Sequence, residues 1–220
     1  MEIIIFDWNE HYKTGGKSGE PEDYEISRPW KKNIISMHCD IKTDSFIDIG
    51  CGDLQFWNGE IPVHYTGIDI SPVIIQKNKS LYPDAIFIVS NAIIPRCISA
   101  NVVMCFDMLW HILDDDDYIK ILINMKKYSK KYIIIYTWNR NVFGGSIWNR
   151  LITGFKSFRH GGLSFKVVDN DGGYQKYRNF LKFALPVFSP EFKLLHTYTN
   201  DHWTVGTMYV FQRVRVHTNE

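Results

Sequence analysis

The sequence predicts a doubly wound α/β domain: a mostly parallel seven-stranded sheet, helices on both faces, and an antiparallel strand pair at the C-terminal end. Three observations carry that expectation. From Ser45 onward, short β-branched and aromatic runs alternate with helical patterns, as when crossover helices join parallel strands. The strand runs are apolar almost throughout, which suits strands covered on both faces. Two further extended runs close the chain after that rhythm has broken. A length of 220 residues fits one domain, and 45% hydrophobic with 22% charged residues is ordinary globular composition.

Residues 1–20 are polar and end in Gly15-Gly16-Lys17-Ser18-Gly19, which reads as a flexible arm. Pro21-Glu22-Asp23 opens a helix, with proline and acids in its first turn, and Ile26, Trp30, Ile34 and Met37 continue it to about His38. Ser45–Ile49 is the first strand, stopped by Gly50-Cys51-Gly52. His64–Asp69 is the second, ended by Ser71-Pro72. A helix holding Ile74, Ile75 and Leu81 stops before Pro83; Ala85–Val89 and Asn101–Phe106 are the third and fourth strands. Asp114 to Ser129 is amphipathic, with Tyr118, Ile121, Leu122, Met125 and Tyr128 on one face, and Tyr132–Thr137 is the fifth strand. The stretch 138–173 is rich in Gly, Asn, Arg and aromatics and shows no element. A helix is expected around Tyr174–Phe183, then the strand pair Phe192–Thr199 and Thr207–Val214. The chain thus divides into an arm (1–20), a core (21–137), a variable segment (138–173) and a closing helix with two strands (174–220).

Twenty-five Lys and Arg against 24 Asp and Glu leave a formal charge of +1, which gives no reason to invoke a nucleic acid. The four cysteines form no CxxC pair, so neither a zinc site nor a disulfide framework is written here, and no metal is expected. The N-terminus lacks a basic region followed by an apolar stretch, and no apolar run approaches the ~20 residues that span a bilayer. The expectation is a cytoplasmic protein without a membrane partner. Oligomeric state is not legible.

The segment Phe46-Ile47-Asp48-Ile49-Gly50-Cys51-Gly52-Asp53 is the most informative. A strand running into Gly-x-Gly lets bare backbone approach a ligand. Asp48 places a carboxylate beside that turn, and Asp69 closes the second strand 17 residues after Gly52, near the ~20-residue spacing at which an acid reaches ribose hydroxyls. A nicotinamide site wants a third glycine where this chain has Gln55, and the acids Asp48 and Asp53 oppose a pyrophosphate. S-adenosylmethionine has no phosphate and carries an ammonium and a sulfonium, so the charges favour it.

Asp48-Ile49-Gly50-Cys51-Gly52-Asp53 with Tyr65-Thr66-Gly67-Ile68-Asp69-Ile70-Ser71 resembles the first two motifs of class I, Rossmann-like S-adenosylmethionine-dependent methyltransferases. Ser90-Asn91-Ala92 resembles their third motif and Phe106-Asp107-Met108-Leu109-Trp110-His111-Ile112 their fourth, so the resemblance covers about Asp44 to Thr137. It implies that Asp48 and the Gly50, Cys51 and Gly52 backbone hold the methionyl end and that Asp69 binds the ribose. Ile70 then lies beside the adenine, Asn91 and Ala92 meet its edge, and Phe106 with Asp107 lines the floor. Two departures stand out: Leu54 replaces a frequent third glycine, and Asn91 a frequent aspartate.

His111 is the candidate catalytic residue, since an imidazole after the fourth strand can deprotonate or orient an acceptor hydroxyl. The other reading is a hydrogen-bonded histidine that caps the loop. Asp114 to Asp117 reads as a helix cap with acids in the first turn. Neither an Asn-Pro-Pro-Tyr nor a Pro-Cys sequence occupies the fourth motif, so by family analogy base methylation loses support. The arm, the 139–173 stretch and the loop into Trp203 mix aromatics with Arg and Asn, which suits a small-molecule or glycan-type acceptor. The arm and that stretch are expected to order over the bound cofactor. The resulting expectation is methyl transfer to such an acceptor, at oxygen. A protein or RNA methyltransferase and a non-catalytic binding module stay open.

Overall fold

A computed structural model describes residues 6–19, 21–138, 166–168, 174–176, 178–199 and 206–214. Among the described residues the helices are α1 (Trp8–Lys13), α2 (Pro21–His38), α3 (Pro72–Leu81), α4 (Asp115–Tyr128) and α5 (Phe180–Phe188), with a 3-10 turn at Leu109–His111. The strands are β1 (Ser45–Ile49), β2 (His64–Asp69), β3 (Ile86–Val89), β4 (Ala100–Phe106), β5 (Ser129–Trp138), β6 (Lys166–Val168), β7 (Tyr174–Lys176), β8 (Phe192–Thr199) and β9 (Gly206–Arg213). Among the described residues the main sheet has the order β3-β2-β1-β4-β5-β9-β8, and β6 pairs with β7 in a separate two-stranded sheet. The first five strands run parallel, while β9 is antiparallel to both β5 and β8. The chain builds outward from β1 in one direction and then restarts at β4 in the other. That reversal opens a crevice at the carboxyl ends of β1 and β4, where open α/β sheets bind ligands.

Side chains alternate across the sheet. Phe46, Val102, Met104 and Ile134 pack on one face with Ile34 and Ile35 of α2 and Ile74 and Ile75 of α3. Ile47, Val103, Ile133 and Phe211 pack on the other with α4 and with Phe180 and Phe188 of α5. Burial on both faces explains the near-continuous apolar runs. The α4 stripe is buried as read from the sequence, and Asp114 caps that helix by accepting from the Asp117 N–H at 2.9 Å.

Four local readings differ from the structure. Residues 8–13, read as part of an arm, form α1; Asp7 caps it by accepting from the N–H groups of Asn9 and Glu10. The buried stripe of α2 runs through Ser27, Lys31, Ile34 and Ile35, whereas Met37 is 59% exposed. The stretch read as a helix from Tyr174 instead holds β7, and the helix begins at Phe180 behind its Asn179 cap. Within 138–173, β6 occupies 166–168. No helix among the described residues is long and apolar enough to cross a membrane.

Candidate functional site

The carboxyl ends of β1, β2 and β4 open onto a cleft of ≈ 620 Å³, a volume in the ordinary range for small-molecule sites. Asp48, Gly50, Cys51, Asp69, Ile70, Asn91, Ala92, Phe106, Asp107 and His111 all line it. Gly52, the remaining candidate, acts through its backbone: its N–H donates to Asp69 Oδ2 at 3.0 Å, and its carbonyl accepts from Asn78 Nδ2 at 2.7 Å.

The turn after β1 needs glycine for two separate reasons. Gly50 and Gly52 have φ of 76° and 52°, in the left-handed region that side chains disfavour. A Cβ on Gly50 would also stand 2.7 Å from Met108 Cγ on the cleft wall. Leu54, where the related motif often has glycine, adopts φ 61° and is only 3% exposed. Its burial offsets the ~1–2 kcal/mol that a left-handed non-glycine residue costs.

Carboxylates gather around that turn. Asp48 is buried, and its Oδ2 accepts from Tyr65 OH at 2.7 Å and from Trp57 Nε1 at 3.3 Å. Burial pushes its carboxyl up to about 6; the two hydrogen bonds oppose this, and the nearby Asp69 and Asp107 add to it. Asp69 is aligned by backbone, with Oδ1 accepting from the Ser71 N–H at 2.9 Å and Oδ2 from that of Gly52. Burial raises its pKa as well. Asp107 sits at φ 58° and pairs at 2.7 Å with Lys31 Nζ, which lies 3.6 Å from the Tyr136 ring centroid. Burial, with Asp69 and Asp48 beside it, drives the Cys51 thiol upward, so Cys51 forms wall and backbone rather than a nucleophile.

Asp53, Asp114 and Asp117 line the same cleft, and among its described lining residues there is no Lys or Arg. The space therefore favours cations and opposes phosphates. On the side of β3, Ile70 is 53% exposed, Asn91 Oδ1 accepts from the Ile93 N–H at 3.1 Å, and the Ala92 carbonyl accepts from Asn124 Nδ2 at 2.8 Å. An amide oxygen keeps a second lone pair, so Asn91 retains an acceptor as well as its donors.

His111 ends the 3-10 turn. Trp110 Nε1 donates to its Nε2 at 2.9 Å, and the Trp8 ring meets it edge-on, 5.0 Å between centroids. An indole N–H is only a donor, so Nε2 is the unprotonated nitrogen and the neutral ring carries its proton on Nδ1.

The N-terminal segment contributes Phe6, Trp8, Tyr12 and Ser18 to the cleft. Ser18 and Asp53 bond reciprocally: the Ser18 N–H donates to Asp53 Oδ2 at 3.2 Å, and the Asp53 N–H donates to Ser18 Oγ at 3.0 Å. Asn9 Oδ1 accepts from Ser71 Oγ at 3.0 Å at the start of α3. The segment is thus fastened beside both the Gly50–Gly52 turn and Asp69. The Asp7-x-x-Glu10 pattern could have signalled its helix. Nothing in sequence signals Lys31, whose partner lies 76 residues away. The arginines and aromatics of 139–165 and Trp203 lie outside the described residues. Among the described residues, no group of three or more His, Cys, Asp or Glu is placed to hold a metal ion.

No protein-family model matches the sequence, and no curated protein sequence matches it. Solved structures do match in fold. An S-adenosylmethionine-dependent methyltransferase from Methanosarcina mazei aligns with TM-score 0.62 at 17% identity, over 82% of this chain and 97% of that one. The N-methyltransferase NodS from Bradyrhizobium japonicum, solved with S-adenosylhomocysteine, aligns with TM-score 0.59 at 9% identity over 94% and 99%. Magnesium protoporphyrin IX methyltransferase from Synechocystis, also with S-adenosylhomocysteine, aligns with TM-score 0.58 at 12% identity over 88% and 83%. With its strand order, its crevice and these neighbours, the chain has the Rossmann-like fold of S-adenosylmethionine-dependent methyltransferases.

Proposed function

We propose that this chain is an enzyme that binds S-adenosylmethionine in the cleft and directs its methyl group to a small-molecule or glycan-type acceptor, at oxygen. One observation carries the reading: Asp48, Asp69 and the Gly50-Cys51 turn between them line a single cleft without a described lysine or arginine. The residues present fit that cofactor. Asp69, aligned by two backbone N–H groups, keeps lone pairs for a ribose diol. The exposed face of Ile70 offers apolar surface to an adenine, with Asn91 and Ala92 at its edge and Phe106 beneath. Asp48, Asp107 and the bare Gly50 backbone suit a methionyl ammonium and a sulfonium.

When bound, the cofactor supplies an electrophilic methyl group on sulfur. The chain's part is to hold the acceptor in line and exclude water, and positioning of that kind can supply much of the rate. His111 lines the cleft with its Nε2 held by Trp110, so in this arrangement the ring can position an acceptor by contact. To take a proton at Nε2 it must first release Trp110.

The test is turnover: S-adenosylhomocysteine release across a panel of hydroxyl and amine acceptors, with mass gain on the product. Conversion of hydroxyl compounds supports the reading, and conversion of amines alone would move the acceptor atom to nitrogen. Binding without conversion across the panel would make the chain a binding module. Once an acceptor is found, unchanged turnover in His111→Gln removes that residue from any part in orienting it.

A further inference from the structure

Arg178 follows β7, where the chain returns from the variable segment to the core. Its side chain is only 4% exposed, and every described hydrogen bond it makes goes to residues 112–115, the turn that leads into α4 and the first residue of that helix. Nη1 donates to the Ile112 carbonyl at 2.6 Å, Nη2 to those of Leu113 and Asp114 at 3.0 and 3.3 Å, and Nε to Asp115 Oδ1 at 2.7 Å. The guanidinium also lies 4.3 Å from the Tyr118 ring centroid. Lys176 on β7 repeats the pattern from the exposed side, donating to the Leu113 carbonyl at 3.1 Å and to Asp115 Oδ1 at 2.8 Å.

The held loop is a wall of the cleft. Ile112, Leu113 and Asp114 line it, and His111 immediately precedes them. The Ile112 and Leu113 carbonyls there point at a cation, while that of Asp114 is shared between the cation and the Tyr118 N–H of α4 at 3.1 Å. A buried guanidinium is tolerated only when its donors are filled, and its planar fork suits several acceptors at fixed angles.

We propose that Arg178 is a positioning residue, which fixes the connection between the 3-10 turn and α4 and thereby sets the shape of the cleft and the placement of His111. The consequence for ligand affinity rests on the cofactor reading above; the consequence for the loop does not. The alternative is a purely structural bond that holds the return of the chain and leaves the cleft indifferent.

Hydrogen exchange and calorimetry on the full chain separate these. In Arg178→Gln, amides of 109–117 should exchange about tenfold faster, with β4 and β5 unchanged. The affinity for S-adenosylhomocysteine should fall about tenfold, the equivalent of ~1.4 kcal/mol and of one charged hydrogen bond. Arg178→Lys should recover only part of both losses, since a lysine keeps the charge but not the fork. Should Arg178→Gln fail to fold, Lys176→Met carries the test, with faster loop exchange and a roughly threefold weaker affinity expected from losing one partner. Unchanged exchange in 109–117 would overturn the proposal. So would a loosened loop with affinity within twofold of wild type, which marks the structural role. If the wild-type chain binds no S-adenosylhomocysteine, the cofactor reading fails and the exchange result alone decides the clamp.

Discussion

Replacing Asp48 by Asn should stabilise the folded chain at neutral pH while weakening its ligand. The carboxyl titrates near 3.8 in the unfolded chain and at about 6 in the folded one, because burial disfavours its charged form more than Tyr65 and Trp57 favour it. Between those values the folded state holds the extra proton, so wild-type stability falls as pH rises through that window. Above about 6 the penalty is complete, at ~3 kcal/mol; below the unfolded value it is absent. An asparagine imitates the protonated acid and keeps an oxygen for the Tyr65 hydroxyl and the Trp57 indole. For a domain of this size, ~3 kcal/mol corresponds to a rise of ~6–12 °C in Tm. Thermal melts of both proteins at pH 7.5, 6, 5 and 4 should show that gain shrinking toward zero as the buffer becomes more acidic. Calorimetry at pH 7.5 should show roughly tenfold weaker binding of S-adenosylhomocysteine, for loss of one charged partner. A variant less stable than wild type at pH 7.5, or a gap that does not change with pH, would refute the reasoning. Either result would mean that Asp48 is not a strained buried carboxylate.

Asp69→Asn leaves one oxygen where two backbone donors now converge, and on the proposed reading it removes the charge offered to a ribose diol. We expect ~100-fold weaker binding of S-adenosylhomocysteine by calorimetry, from two charged hydrogen bonds at ~1.5 kcal/mol each. Gly50→Ala must carry φ 76° and displace Met108, so melts should show ~2–3 kcal/mol lost and binding should weaken more than tenfold. An unchanged affinity there would mean that Met108 yields without reshaping the cleft.

The sheet and much of the cleft lining were legible because local and long-range signals agree there. Asp48 and Asp69 are recognisable by position alone: each stands at the carboxyl end of an apolar run beside a turn, and parallel pairing of β1 with β2 brings them together. Leu54 reads as a bulky departure from a glycine, and in space it becomes a buried core residue in a left-handed turn. What the sequence hid was set by distant partners. Lys31 looks like the polar side of α2 until Asp107 and Tyr136 arrive from β4 and β5. Arg178 looks like a loop arginine until the carbonyls after His111 surround it. The helix expected from Tyr174 begins at Phe180 for a local reason, because the Asn179 side chain caps it by accepting from the Lys182 N–H. The six-residue α1 is too short to show an apolar period, and its Asp7 cap was its only sequence signal.

The most direct test sets two ligands against each other on the purified wild-type chain. Calorimetry should register binding of S-adenosylhomocysteine and no heat with a nicotinamide dinucleotide, because carboxylates crowd the turn where a pyrophosphate would have to sit. Heat with the dinucleotide and none with S-adenosylhomocysteine would contradict the account at its root.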